Sequence, residues 1–313
     1  MSHQRLLRDL LDAVNGVVRG KEEVVLNVLT AALAGGHILL EDVPGVGKTT
    51  LGHAVALVLG CTFRRIQFTS DLLPSDILGV NVFLRNTERF EFRPGPIFAN
   101  VVLADEINRT TPKTQSSLLE AMNEGQVSID NETHPLPDPF VVIATQNPQD
   151  FHGTYPLPES QLDRFMVRLH LGYPDGRVER AILRGRTRRD PLADLGPKAT
   201  VEQLRDLQRR VDEIRVDDLV IDYLMTLVET SRQTPTLELG VSTRGALALQ
   251  RAARARALLL GRSYCLPDDV KQLAVPVLAH RVQVAGGGEG LLRTYGEAER
   301  VIAQLVEQIP VPV

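Results

Sequence analysis

The sequence predicts an α/β domain followed by a helical domain, and three observations lead to that prediction. The apolar run His37–Leu40 precedes a glycine-rich loop and the mostly apolar stretch Leu51–Leu59, in the order strand, loop, helix. Further apolar runs of strand length then alternate with polar loops and helical patterns. Beyond residue 173 the chain changes to charged segments with helical spacing, so we expect one domain over 1–173 and a second over 174–313.

Two helices are predicted ahead of the first strand. Apolar residues recur at helical spacing over residues 6–18, and a second helical pattern covers residues 22–34. Such a pair of helices often forms one wall of a base pocket, here near Val17, Val18 and Gly20. Plain packing of the helices against a core is an equally good interpretation of each of these three residues.

The loop after the first strand has the composition of a phosphate-binding loop. Gly45 and Gly47 let the backbone curl so that successive amides point inward, and the following helix adds the positive end of its dipole. Lys48 supplies a mobile cation for the outer phosphates, and Thr49 supplies a hydroxyl for Mg²⁺. The full set of expected binding residues is Asp42, Val43, Pro44, Gly45, Val46, Gly47, Lys48, Thr49 and Thr50. The general pattern G-x-x-x-x-G-K-[ST] has glycine where this chain has Asp42, and a chance helix-start loop is the alternative.

A second strand is predicted over Phe63–Phe68, and a third over Val101–Ala104. Asp105 and Glu106 follow the third strand directly, as in a Walker B element. Asp105 would hold Mg²⁺ through water, and Glu106 would polarise the attacking water. A pair of acids after a strand is often only a loop or a helix cap, but its place downstream of the glycine loop in a βαβ pattern favours the functional interpretation.

The fourth strand, Phe140–Ala144, leads into Asn147, which would hold the attacking water near a terminal phosphate. An asparagine before proline is more often a turn former, and its place at the tip of this strand is what favours a role in catalysis. A fifth strand is expected over Met166–Leu171. Two hairpins, over Val80–Pro96 and Gln126–Pro139, would project from the domain, either as solvated loops or as elements that face a substrate or a pore.

The second domain is predicted to be all-helical. Its helices are expected over Asp175–Thr187, Thr200–Asp212, Asp217–Thr230, Thr243–Leu260, Pro267–Ala279 and Glu289–Gln308.

Composition argues against several classes of function. The net charge is −4 with a pI of about 6.0, so no overall basic field draws the chain to nucleic acid or an anionic membrane. No stretch approaches the ~20 apolar residues of a membrane span, and the first residues lack an apolar signal core, so a cytoplasmic location is expected. Cys61 and Cys265 are interpreted as small core residues, and lone histidines such as His170 and His280 as structural or surface residues.

These motifs together resemble the MoxR family of AAA+ ATPases. The resemblance rests on residues 44–49, 105–109, 144–148, 157–165 and 240–244, and it extends from about residue 16 to about residue 301. It implies a five-stranded parallel sheet between helices, followed by an all-α lid domain. It also implies ATP and Mg²⁺ as ligands, and a ring of identical subunits, usually a hexamer.

The resemblance assigns roles to four further residues. Asn147 is similar to the sensor 1 residue, and Arg244 to a sensor 2 residue that reaches the γ-phosphate of its own subunit. Arg164 resembles the arginine finger that is offered to the ATP of the next subunit. Arg109 either faces a neighbouring site or forms a salt bridge within its own subunit, and both alternatives stay open at this point.

The function expected from the resemblance is that of an ATP-hydrolysing chaperone that remodels partner proteins. A separate protein with a von Willebrand factor A-type domain is the expected partner, with a protein client. Two other classes remain open: a nucleotide-operated switch or scaffold with little turnover, and a motor of the nucleic-acid-dependent or chelatase type. The intact set of Glu106, Asn147 and Arg164 argues against the switch, and the acidic balance argues against nucleic acid.

Overall fold

A computed structural model describes residues 3–130, 132–147, 154–185, 191–286 and 291–312. Its strands are β1 His37–Glu41, β2 Phe63–Gln67, β3 Gly79–Leu84, β4 Arg89–Pro94, β5 Val101–Asp105, β6 Gln126–Ile129, β7 Glu132–Pro135, β8 Val141–Gln146, β9 Phe165–Leu169, β10 Leu237–Leu239 and β11 Gln283–Val284. Its α-helices are α1 His3–Val17, α2 Glu22–Leu33, α3 Lys48–Val58, α4 Pro74–Leu78, α5 Pro112–Glu124, α6 Glu159–Leu162, α7 Gly176–Gly185, α8 Val201–Glu213, α9 Asp218–Gln233, α10 Thr243–Leu259, α11 Pro267–Leu278 and α12 Leu291–Gln308.

Five strands form one parallel sheet in the order β2-β5-β8-β1-β9, which confirms the predicted core. The strands β1, β5, β8 and β9 are buried along their whole length, as expected for parallel strands with helices on both faces. The edge strand β2 differs, because its polar side chains at Arg64, Arg65 and Gln67 are exposed. Since the strands are parallel, the loops that follow them all lie at one edge of the sheet, which we call the carboxyl edge.

Alternate residues of the strands pack into two hydrophobic cores, one on each face of the sheet. In β1, Ile38 and Leu40 pack with α1, α2 and α3 on one face, whereas Leu39 packs with α4 and α5 on the other. The first core continues without a break into the C-terminal helices, so both parts of the chain share apolar packing.

The described parts of the C-terminal helices fall within or close to the predicted segments, and three of these helices begin at polar caps. The hydroxyl of Thr200 accepts a hydrogen bond from the amide of Gln203, and the side chains of Asp217 and Ser242 cap α9 and α10 in the same way. The expected end of α7 at Thr187 and the expected start of α12 at Glu289 lie outside the described residues. The short antiparallel ribbon of β10 and β11 was not predicted, and it adds two small strands to the helical part.

Two side chains hold the C-terminal helices against the end of α2. Arg251 of α10 donates from Nε to the carbonyl of Ala34 (2.7 Å), and Gln208 of α8 donates to the carbonyl of Ala32 (2.9 Å). Ala32 lies in the last turn of α2 and Ala34 is its C-cap, where carbonyls have few partners within the helix; the amide of Gly35 also donates to the carbonyl of Ala32 (3.2 Å). The end of α2 leads directly into the start of β1. The contacts with α2 therefore hold α10 near the edge of the sheet where the strands begin, which we call the amino edge.

The two predicted hairpins are present and pack against each other. β3 pairs with β4, and β6 with β7. The ring of Phe92 stacks on His134 with centroids 3.9 Å apart, and Asn81 donates to the carboxylate of Asp130 (2.9 Å). Asn131, at the tip of the second hairpin, lies outside the described residues. Within the described ranges, no helix combines the length and the apolar character that crossing a bilayer requires.

A neutral histidine joins the sheet to α5 at the amino edge. His37 is buried, its Nδ1 accepts from the amide of Val142 (3.0 Å), and its Nε2 faces the carbonyl of Met122 (3.1 Å). Burial lowers the pKa of His37 from 6.5 to about 4, and the hydrogen bond to Met122 opposes this shift.

We predict that the free energy of unfolding falls as the pH drops from about 6.5 to about 4. Over this window the unfolded state binds a proton at His37 that the folded state does not bind, at a cost of about 1.4 kcal/mol per pH unit. His280, whose pKa burial also lowers, contributes in the same direction. Urea unfolding at several pH values measures the slope. His37→Gln is expected to reduce it, whereas His3→Gln on the exposed end of α1 serves as the control.

Candidate functional site

The phosphate loop connects β1 to α3 and contains two glycines in the left-handed conformation. Gly45 and Gly47 have φ values of +88° and +99°, in the left-handed region that glycine adopts without strain. A Cβ atom added at either glycine would meet nothing within 4 Å, so both positions border open space and their need for glycine is conformational. Thr49 and Thr50 lie in the first turn of α3, at the positive end of its dipole. The remaining predicted residues of this loop are Asp42, Val43, Pro44 and Val46.

Lys48 lies at the start of α3 and faces the carboxylates of the site. Only 8% of the residue is exposed, and its Nζ donates to the backbone carbonyl of Asp42 (2.6 Å). Burial lowers the pKa of Lys48, and the carboxylates of Asp42, Asp105 and Glu106 act against that shift. The glycine loop and the Walker B acids, which are far apart in sequence, therefore meet at the carboxyl edge.

Asp105 ends β5 and is held on both carboxylate oxygens. Thr145 donates its hydroxyl to Oδ1 (2.6 Å), and Arg65 donates to Oδ2 from Nη2 (2.6 Å) and Nε (3.1 Å). The same threonine oxygen accepts the amide of Glu106 (2.9 Å), so one hydroxyl fixes both acids. Sequence reasoning missed Arg65 and its neighbour Gln67, although both lie on the strand adjacent to β5.

Glu106 has an unusual backbone conformation. Its φ of +58° lies in the left-handed region, which is uncommon for a residue other than glycine and is often found at functional sites. Its carboxylate oxygen Oε2 accepts from Nε2 of Gln67 (3.2 Å) and from Nε of Arg109 (3.1 Å). Arg109 thus forms a salt bridge within its own subunit, which was one of the two alternatives.

Asn147 follows β8, which lies between β5 and β1 in the sheet. This order places Asn147 between the Walker B acids and the phosphate loop. The residue is 7% exposed, and its carbonyl accepts a hydrogen bond from the side chain of Asn108 (3.4 Å). Pro148, the last residue of the predicted motif, lies outside the described residues.

The oxygen atoms at this edge fit a magnesium ion. The hydroxyl of Thr49 and the carboxylate of Asp105 are the hard oxygen donors that Mg²⁺ prefers, and few protein ligands suffice because the ion retains waters. A cation already lies on Oδ2 of Asp105, since the guanidinium group of Arg65 forms an ion pair there at 2.6 Å. The open glycine loop with Lys48 in turn fits a chain of phosphates.

Arg164 and Arg244 lie at the amino edge, away from the phosphate loop of the same chain. Arg164 immediately precedes β9 and donates to the carbonyl of Leu119 (2.8 Å). Arg244 contacts Asp163 (3.3 Å) and the side chain of Asn123 (3.4 Å), and its side chain is 59% exposed.

The expectation that Arg244 reaches the γ-phosphate of its own subunit is therefore wrong for this structure. Asn123 follows Met122, whose carbonyl meets His37 at the first residue of β1, whereas the phosphate loop follows the last residue of that strand. Five strand residues separate the two edges, a span of ~15 Å. The physical reason is the seating of α10 against Ala34, which carries Arg244 to the amino edge.

A buried ion pair, also missed from the sequence, joins the start of the phosphate loop to β9. Arg168 donates from Nε and Nη2 to Oε2 of Glu41, both at 2.8 Å, and the two side chains are only 4% and 3% exposed. In the sequence, Arg168 is a single charged residue in a short strand. Its spacing does not indicate that Glu41, 127 residues away, is its partner.

Comparisons with known proteins agree with this geometry. Residues 37–167 match the family "ATPase family associated with various cellular activities (AAA)", and residues 229–302 match the AAA lid domain. The uncharacterized protein YeaC of Bacillus subtilis is 47% identical, over 100% of this chain and 98% of YeaC. Chaperone MoxR1 of Mycobacterium tuberculosis is 41% identical, over 86% of this chain and 73% of MoxR1. A crystal structure of a protein from Cytophaga hutchinsonii, assigned as an ATPase, is 34% identical with a TM-score of 0.88, over 99% of this chain and 96% of that one.

We predict that Arg168→Met lowers the free energy of unfolding by about 3–5 kcal/mol, because it leaves the buried carboxylate of Glu41 without its cation. The double variant Glu41→Leu/Arg168→Met removes both charges and is expected to recover most of the loss. Chemical denaturation of the two single variants and the double variant gives the coupling energy. Additive effects of the two substitutions would contradict the prediction.

Proposed function

We propose that this chain, which belongs to the MoxR family of AAA+ ATPases, is an ATP-hydrolysing chaperone that remodels partner proteins as a ring of identical subunits. The observation that carries the proposal is the division of the predicted catalytic residues between two edges of one sheet. Lys48, Asp105, Glu106 and Asn147 converge at the carboxyl edge, whereas Arg164 lies with Arg244 at the amino edge.

At the carboxyl edge, each residue has a role that its chemistry supports. The amides of the glycine loop and the ammonium group of Lys48 bind the phosphates of ATP. Thr49 and Asp105 would hold Mg²⁺, and the ion would supply charge neutralisation for the phosphates. Glu106 accepts a hydrogen bond from the attacking water, and Asn147 orients that water.

At the amino edge, Arg164 and Arg244 act on the ATP of the neighbouring subunit. Arg244 pairs with Asp163, Arg164 is the next residue in the chain, and this part of the amino edge lies ~15 Å from the phosphate loop of the same chain. An arginine supplied in this way stabilises the charge on the γ-phosphoryl oxygens in the transition state and is worth about 10³–10⁵ in rate. A head-to-tail contact between opposite edges repeats around an axis, which is the geometry of a closed ring and is compatible with a hexamer.

The proposed remodelling role is based on the sequence similarity to the relative named Chaperone MoxR1. From the family resemblance we propose a protein client, engaged with the help of a separate protein that carries a von Willebrand factor A-type domain. The hairpins β3–β4 and β6–β7 project from the core and are the elements proposed to face the centre of the ring.

We predict that Glu106→Gln retains ATP binding and suppresses ATP turnover by a factor of about 10²–10⁴, the usual contribution of a general base. The amide keeps the size of the side chain but is no longer a base. Fluorescent nucleotide binding and phosphate release measure the two quantities separately. Turnover at the wild-type rate would show that Glu106 is not the base, and loss of binding would point to a structural role.

We predict that two inactive variants restore activity to each other when they are mixed. Lys48→Ala lacks a working phosphate loop but keeps both arginines, whereas Arg244→Ala and Arg164→Ala lack one arginine but keep the loop. If the arginines act on the neighbouring subunit, a mixture of Lys48→Ala with either arginine variant contains complete sites.

Phosphate release from the mixed and unmixed proteins is the measurement, and wild-type turnover should also rise steeply with protein concentration. Mixtures as inactive as their components would place each arginine in the site of its own subunit. Negligible wild-type turnover at every concentration would instead favour a nucleotide-operated switch.

A further inference from the structure

The last residue of β1 and the first residue of the phosphate loop hold the segment through which the chain leaves the sheet. We call residues 168–172 the exit segment, since they end β9 and lead towards α7. Glu41 and Asp42, consecutive in sequence, contact four of its five residues. The general phosphate-loop pattern has glycine where this chain has Asp42, so its carboxylate is an addition that phosphate binding alone does not explain.

Asp42 joins the exit segment to the lysine of the loop. Its carboxylate accepts the amide of Leu171 in a short hydrogen bond and the amide of Gly172 at 3.1 Å. Gly172 has a φ of +62°, in the left-handed region that favours glycine. The carbonyl of the same aspartate accepts Nζ of Lys48. A single residue therefore contacts both the cation that faces the phosphates and the backbone that leads to the second domain.

The other side of the exit segment is tied to α12. Nε2 of His170 lies 3.1 Å from the carboxylate of Glu299, and Nη2 of Arg168 lies 3.8 Å from the same oxygen. Nδ1 of His170 lies 2.8 Å from the carbonyl of Glu41. Both ring nitrogens thus face oxygen acceptors, which only the imidazolium form satisfies completely. The hydrogen bond to Glu299 accordingly raises the pKa of His170.

We infer that Asp42 is a positioning residue that transmits the state of the phosphate loop through the exit segment to α12. The inference rests on the proposed function, because it takes a nucleotide as the group that draws Lys48 from the carbonyl of Asp42. Movement of Asp42 displaces the amides of Leu171 and Gly172, and the contacts of Arg168 and His170 with Glu299 carry the displacement to the last helix. The second domain, which bears Arg244, thereby responds to occupancy of the loop.

Hydrogen exchange of the full-length protein tests this inference. Wild type, Asp42→Asn and Glu299→Gln are compared with and without AMP-PNP and Mg²⁺. In wild type we expect the nucleotide to change exchange in residues 168–172 and in α12 by about fivefold or more, the lower end of couplings between two sites. Asp42→Asn keeps one acceptor oxygen but loses the charge and the second acceptor, so the response of α12 is expected to disappear.

Glu299→Gln weakens the contacts of α12 with Arg168 and His170 and leaves the phosphate loop unchanged. We expect it to abolish the response of α12 while residues 168–172 still respond. The matched control is Glu307→Gln, which removes a carboxylate from the same helix that pairs with Lys271 (3.0 Å) instead of the exit segment. The control is expected to respond as wild type does.

Two further readouts separate positioning from a structural defect. Of the two variants Asp42→Asn and Glu299→Gln, Glu299→Gln should bind AMP-PNP within about tenfold of the wild-type Kd, because it lies outside the phosphate loop and linkage limits the change to the coupling factor. Their kcat for ATP should fall while KM changes little, since the defect lies in the placement of the second domain.

An undiminished response of α12 in Asp42→Asn and Glu299→Gln would overturn the inference. A wild-type protein that binds AMP-PNP without any response in α12 would overturn it as well, with the proposed function intact. Failure of the wild-type protein to bind AMP-PNP would instead refute the proposed function.

Discussion

The arrangement of this molecule depends on the parallel direction of its five central strands. Because β1, β5 and β8 are parallel neighbours, three unrelated loops end at one edge, and each brings one part of the site. The side chains of the strands are buried on both faces, so they cannot bind a polar ligand themselves. Polar chemistry is confined to the two edges, and the separation between these edges sets which residues can act together within one chain.

The charged side chains at the carboxyl edge already have partners within the protein. Arg65 pairs with Asp105, Arg109 pairs with Glu106, and Lys48 donates to a backbone carbonyl. Each of these contacts occupies a group that the proposed reaction needs. Binding of a triphosphate with its metal ion would replace these contacts with new ones. The loss of the existing contacts would therefore offset part of the favourable free energy of binding.

The sequence was sufficient for the elements and for one edge of the site, but not for the packing between distant elements. Buried strands are long apolar runs, and Asp105, Glu106 and Asn147 directly follow such runs, so their common location follows from the direction of the strands. Arg65 could not be recognised, because an exposed arginine on an edge strand has the pattern of an ordinary solvent-facing residue. Arg244 was misplaced because its position depends on the contact between Arg251 and Ala34, which no local pattern encodes. The ribbon of β10 and β11 is too short to show alternation.

Two guanidinium groups share a single carboxylate, Asp163, at the amino edge. Arg244 and the buried Arg281 both pair with this one carboxylate, and Arg164 is its neighbour in the chain. If this part of the amino edge meets the triphosphate of another copy, the ligand supplies a further anion for these guanidinium groups. Association of subunits and binding of the nucleotide are then thermodynamically linked. Dilution of the protein would weaken its hold on the nucleotide, and depletion of the nucleotide would loosen the assembly.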